Sequence, residues 1–199
     1  MKRTTASALI AGLCICSLFA ADPVSRRDAA RLQAKLDKIT KVRPATAASK
    51  TLTTTPITET EVNSYLQFEL SDRIPDGVTN PWVSILEEGR LAGKATVDLA
   101  RVGKSRKSGG MLDPFNYLGG SLPLTVNGVL TTKNGMANFT VESASISSVP
   151  VPVWMVQEIV SYYSKSESSP NGVAIDKPFA LPNGIREIRT ARGQATVVQ

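Results

Sequence analysis

Four basic residues, Arg101, Lys104, Arg106 and Lys107, fall close together in one glycine-ended stretch. By charge alone such a cluster can meet phosphate headgroups, nucleic acid or an acidic wall polymer. The same charges also suit a solvated loop that keeps sheet edges soluble. A second feature is aromatic: Trp154, Tyr162 and Tyr163 share an apolar stretch with Ile159, and Leu118 ends a short turn upstream. Rings with polar tips suit a groove that holds acyl chains beneath headgroups. The alternative is that this stretch forms the core. Both hold if one side packs while the other lines a cavity.

Acid-base chemistry has few other carriers. Glu59, Glu61 and Glu69, or Glu87 and Glu88, are candidates by type for a carboxylate pair, but their neighbours are helix-capping and turn features. The chain has no histidine, which removes Ser-His and Cys-His nucleophile pairs and the usual zinc sites. After the N-terminal segment no lysine has Ser or Thr three positions before it, so a Ser-x-x-Lys dyad is missing. Gly89 to Lys94 is one residue short of a phosphate loop, and Ala95 replaces the hydroxyl that would hold magnesium. The reading is a non-catalytic protein with no cofactor and no metal.

The elements that would position these residues follow from local signals. Thr58 and Glu61 form a Thr-x-x-Glu capping box, with Ile57 and Val62 placed as a hydrophobic staple, so a helix runs from there through Leu70 to Pro75-Asp76-Gly77. Trp82 to Leu86 and Arg90 to Val102 alternate as strands. Leu122 to Lys133 and Met136 to Val149 form a hairpin around Asn134-Gly135, with a bulge or close contact at Asn127-Gly128. A second helix spans Val149 to Lys165, apolar around most of its circumference. Strand candidates Val173 to Leu181 and Ile185 to Val198 follow, the latter broken at Gly193, with Pro182-Asn183-Gly184 as the turn between them. This order predicts an α+β fold, a curved antiparallel sheet packed on two long helices, with an N-terminal helical appendage.

The first residues carry Lys2 and Arg3, then an apolar run from Ala6 to Ala21. That is the pattern of a secretory signal cut after Ala20, and the run is shorter than the ~20 apolar residues of a membrane span. Both cysteines, Cys14 and Cys16, lie inside it, so the rest of the chain has none and must rest on apolar burial. The formal charge is +6, and 23 basic residues less Lys2 and Arg3 leave 21 against 17 acidic, or +4. The expected organisation is a signal peptide over 1–20, a helix over 21–42, a flexible linker over 43–55 and a single α+β domain over 56–199. In the helix Ser25 is the N-cap, Asp28 the third position, Leu32, Leu36 and Ile39 an apolar stripe, and Asp37 and Lys41 an i to i+4 pair. The stripe can dock on the domain, join a partner helix or leave the helix as a spacer.

Ile57-Thr-Glu-Thr-Glu-Val-Asn-Ser-Tyr-Leu66, Gly89-Arg-Leu-Ala-Gly93, Val149-Pro-Val-Pro152 and Pro178-Phe-Ala-Leu-Pro182 resemble runs in a family of exported bacterial envelope proteins of unknown function. That family is similar to tubular lipid-binding domains, in which a long helix lies in the concavity of a bent antiparallel sheet. The resemblance covers about residues 56–199, carries over no catalytic residue and implies lipid binding. The expected function is therefore a periplasmic or secreted protein holding a lipid or other amphiphile between helix and sheet. Leu118, Trp154, Ile159, Tyr162 and Tyr163 would line the groove, and Arg101, Lys104, Arg106 and Lys107 would face the headgroup. The competing expectation is an envelope interaction or structural protein tethered to a partner by its N-terminal helix. Export disfavours nucleic acid, and membrane contact is peripheral at most.

Overall fold

A computed structural model describes residues 23–41, 52–101, 119–165, 167, 170–175 and 177–199. The expected signal peptide, most of the expected linker, the basic residues Lys104, Arg106 and Lys107, and Leu118 lie outside the described residues.

Helix α1 (Arg26–Lys41) starts as its sequence dictates: the Ser25 hydroxyl accepts from the Asp28 amide at 3.1 Å and donates to the Asp28 carboxylate. Its apolar stripe is occupied within the molecule. Leu32 and Ile39 are buried against Ile57, Ile185 and Val197, with Leu36 packed at the margin. Polar contacts fix the docking, since Lys35 Nζ reaches both Glu61 carboxylate oxygens at 2.7 Å and the Tyr65 hydroxyl donates to Gln33 at 2.9 Å. Of the three roles open to this helix, it takes docking on its own domain. Asp37 accepts from Gln33 at 2.7 Å rather than pairing with Lys41.

The expected linker ends early, because Thr54 and Thr55 belong to β1 (Thr54–Thr58), paired antiparallel with β9 (Gln194–Val198). Helix α2 (Glu59–Phe68) follows at once, and the Thr58–Glu61 capping box is formed from both sides. It stops at Phe68, short of the expected end, and a 3-10 turn over Ser71–Arg73 leads to Pro75. Its buried residues are Glu61, Asn63 and Ser64. The reason lies on β2 (Val78–Ile85), an edge strand whose outward amides and carbonyls need partners. Asn63 Nδ2 donates to the Val83 carbonyl and Asn63 Oδ1 accepts the Val83 amide, both at 2.8 Å. Glu59 accepts the Ile85 amide at 2.7 Å, and Gly193 donates to the Ile85 carbonyl at 2.8 Å. The polar face of α2 thus finishes the edge of the sheet.

The strands divide between two sheets. One has the order β1-β9-β8, where β8 is Glu187–Ala191. The other runs β2-β3-β4-β5, where β3 is Arg90–Asp98, β4 Ser121–Lys133 and β5 Met136–Ile146, and it is curved without closing. Two short strands, β6 (Val149–Pro150) and β7 (Phe179–Ala180), both pair with the outer edge of β5. All pairings are antiparallel, so the fold class is the expected α+β. The β4–β5 hairpin turns at Asn134-Gly135, with φ of 52° and 79°. Its register slips at Asn127/Gly128, where a Cβ on Gly128 would stand 2.5 Å from the Thr140 carbonyl oxygen and 2.6 Å from the Phe139 ring. The glycine is required by that close approach.

Helix α3 spans Val153–Tyr163, not Val149–Lys165. Residues before proline are pushed out of the helical region, and Pro150 and Pro152 hold the preceding stretch extended until Val153. Met155, Val156 and Ile159 form its buried face. Met155 and Ile159 pack with Val97, Leu124 and Ile146 of the large sheet and with Leu99 just after β3, while Val153 and Trp154 are exposed, so the helix is one-sided rather than buried all round. Within the expected strand Val173 to Leu181 only Phe179–Ala180 pairs. The earlier part is held by Gln157 of α3, which donates to the Val173 carbonyl at 3.0 Å and accepts the Ile175 amide at 3.0 Å.

Candidate functional site

The residues expected to line a groove between helix and sheet take separate places. Ile159, 2% exposed, is core and fills the seam with Met155. The Tyr163 hydroxyl donates to the Asp98 carbonyl at 2.9 Å and lies 3.4 Å from the Gly77 carbonyl oxygen. Burial, then the nearby Asp98 charge, raises the Tyr163 pKa above its usual value. Tyr162 meets Tyr163 edge to face at 4.9 Å between ring centroids and carries the Lys165 ammonium over its own ring. Trp154, 46% exposed, lies outside the core cluster that Met155 and Ile159 form with the sheet. Ile159 therefore closes its own part of the seam between α3 and the sheet.

Arg101 is the one member of the basic cluster among the described residues. Its Nε pairs with Asp98 at 3.2 Å, and its Cδ lies 3.2 Å from where a Cβ on Gly77 would stand. Gly77 therefore brings together Arg101 and the Tyr163 hydroxyl, two of the residues singled out by type.

Gly77 also lines a cleft of about 530 Å³, between the end of α2 and the start of β2. Its shape follows from local irregularity. After the 3-10 turn the chain bends at Pro75-Asp76-Gly77, with Gly77 at a φ of +94°, and β2 then loses register between Thr79 and Trp82, where Asn80 takes a φ of 50°. The bulge takes Asn80 and Pro81 out of the β2–β3 register, which resumes at Trp82, beside the hollow. Ile74, Pro75, Val78, Pro81 and Trp82 give it apolar surface, while Gln67, Ser71, Asp76 and Asn80 add polar groups. This mixture fits a ligand with an apolar body and a polar end. In the sequence these residues read only as a turn and a strand start; the Asn-Pro step ahead of Trp82 was the one local sign of irregular backbone.

Three of the five acidic candidates have structural partners. Glu59 and Glu61 hold the β2 edge, the helix cap and Lys35, and Glu87 pairs with Arg192 at 3.4 Å. Among the described residues no three His, Cys, Asp or Glu side chains are placed to hold a metal, and no helix is long and apolar enough to cross a membrane. The chain matches no protein family, no curated protein and no solved structure at a significant level.

Proposed function

We propose that this is a non-catalytic exported protein that binds a lipid or other amphiphile, and that the ligand sits in the cleft between α2 and β2 rather than beneath α3. The observation that carries the reading is the cleft itself: about 530 Å³, walled by Ile74, Val78 and Trp82, with Gln67, Ser71 and Asn80 adding polar groups. Its volume lies in the range of small-molecule sites. The apolar wall suits an alkyl segment, and Gln67, Ser71 and Asn80 suit a polar head. At roughly 0.8 kcal/mol per buried CH₂, half a dozen enclosed methylenes would supply about 5 kcal/mol before the cost of ordering the ligand. The resemblance to tubular lipid-binding domains supports the same ligand class.

Trp82 reports on the site, because the chain has two tryptophans and Trp154 lies elsewhere. In a Trp154→Phe variant, titration with a lysophospholipid below its micellar concentration is expected to shift Trp82 emission to the blue and saturate. Unchanged emission, together with native mass spectra that hold only the polypeptide mass, refutes the reading.

A further inference from the structure

The outer edge of β5 is covered at its two ends and open in the middle. β7 pairs with Met136 and Ala137, and β6 pairs with Ser145 and Ile146. The two-residue turn makes Lys133 and Met136 a hydrogen-bonded pair, so Asn138 and Thr140 bond inward to β4 while Phe139 and Val141 direct their amides and carbonyls outward. The outward groups at both ends are taken: Ala137 faces Phe179, and the Ala144 carbonyl accepts the Val151 amide at 3.0 Å. Those of Phe139 and Val141 have no partner among the described residues. Other exposed edges are closed by side chains, as Asn63 does on β2 and as Thr132 Oγ1 does on β8, accepting the Ile188 amide at 2.9 Å and donating to the Ile188 carbonyl at 3.0 Å.

We infer that the open stretch of β5, residues 138–143, is a slot for a short extended segment of a partner polypeptide, which adds to the large sheet between β6 and β7. Three observations select this occupant. The unpaired groups are the amides and carbonyls of Phe139 and Val141, just before the bulge residue Glu142, and another backbone matches them where a lipid does not. At about 3.4 Å per residue the slot is roughly 20 Å long, so a strand as long as β5 itself would collide with β6 and β7, which rules out pairing with β5 of a second copy. Large exposed apolar side chains cluster at the two ends: Val149, Val153 and Trp154 beside β6, Phe179 and Met136 at β7. They give anchors to residues leaving the slot. Glu142 is the one charged residue of the open stretch and is exposed, so it favours Lys or Arg in the incoming segment.

Backbone amide exchange on the full chain, followed by NMR, tests this. In the free protein the Phe139 and Val141 amides are expected to exchange at least about a hundredfold faster than those of Asn138 and Thr140. Random octapeptides displayed on phage should yield binders rich in Lys or Arg that slow exchange at Phe139 and Val141. The same peptides N-methylated at alternate residues should not. Val141→Pro removes an outward amide without touching the β4 ladder and is expected to abolish binding, while Glu142→Gln should weaken it several-fold. The inference is overturned if Phe139 and Val141 are already as protected as their neighbours. It is equally overturned if no peptide is enriched, or if the enriched peptides leave both amides unprotected.

Discussion

Replacing Asn63 by alanine isolates the contribution of the polar face of α2. Asn63 is 1% exposed, and its amide forms two hydrogen bonds of 2.8 Å with the backbone of Val83. Alanine fits the helix at no propensity cost, so the loss is confined to those bonds and the groups they leave behind. A buried backbone donor or acceptor without a partner costs about 1–3 kcal/mol, and two such groups give an expected loss of about 2–5 kcal/mol. For a chain of this size that corresponds to a fall in Tm of very roughly 5–15 °C. Urea unfolding followed by circular dichroism measures it, with the midpoint moving and the slope unchanged. Asn63→Asp is the informative companion: it keeps an acceptor for the Val83 amide but turns a lone pair toward the Val83 carbonyl, so it should also destabilise. A loss below about 1 kcal/mol for Asn63→Ala would refute the reasoning, since water would then be closing the β2 edge as well as the side chain does.

Other perturbations give separate readouts. Tyr163→Phe is expected to cost about 1 kcal/mol through the bond to Asp98. Because the folded pKa of Tyr163 is raised, its neutral form supports the fold fully below the unfolded value near 10 and loses that support as pH rises through the folded value; the phenylalanine variant should flatten this alkaline fall in Tm. Leu32→Asp places a charge in the buried seam between α1 and the small sheet and should cost at least about 3 kcal/mol; a variant with unchanged Tm would show that α1 is not docked. Gly128→Ala drives a methyl group against the Thr140 carbonyl and should cost about 2 kcal/mol in a thermal melt, and a neutral result would contradict the tight bulge.

Features written within a few residues of one another were legible in the sequence. The Thr58–Glu61 box, the Ser25 cap, the Asn134-Gly135 turn and the Asn127-Gly128 bulge all depend on local backbone geometry, which residue type sets directly. Pro150 and Pro152 suit a helix start by residue type, but each also keeps the residue before it extended, which leaves β6 and a shorter α3. Apolar content around α3 also hid its one-sidedness, since periodicity cannot say that Trp154 stays exposed while Met155 is buried. The division into two sheets rests on β1 meeting β9, a pairing with no local signature. The cleft is hidden for the same reason: it forms where the end of α2 meets the displaced start of β2, and neither segment alone encloses space.

The pairing of β1 with β9 also governs the order in which the molecule can be assembled. Thr54 meets Val198, and helix α1 rests on a cluster completed by Ile185 and Val197. Ile57, Val62 and Tyr65 cover part of the α1 stripe, but Ile185 and Val197 complete the cluster, so full docking waits until the last strands have been made. Such remote contacts are closed late and slowly. A chain emerging from a ribosome therefore holds β1 unpaired and α1 only partly sheltered until residues 185–198 have been made, while β2, β3 and β4 can already pair.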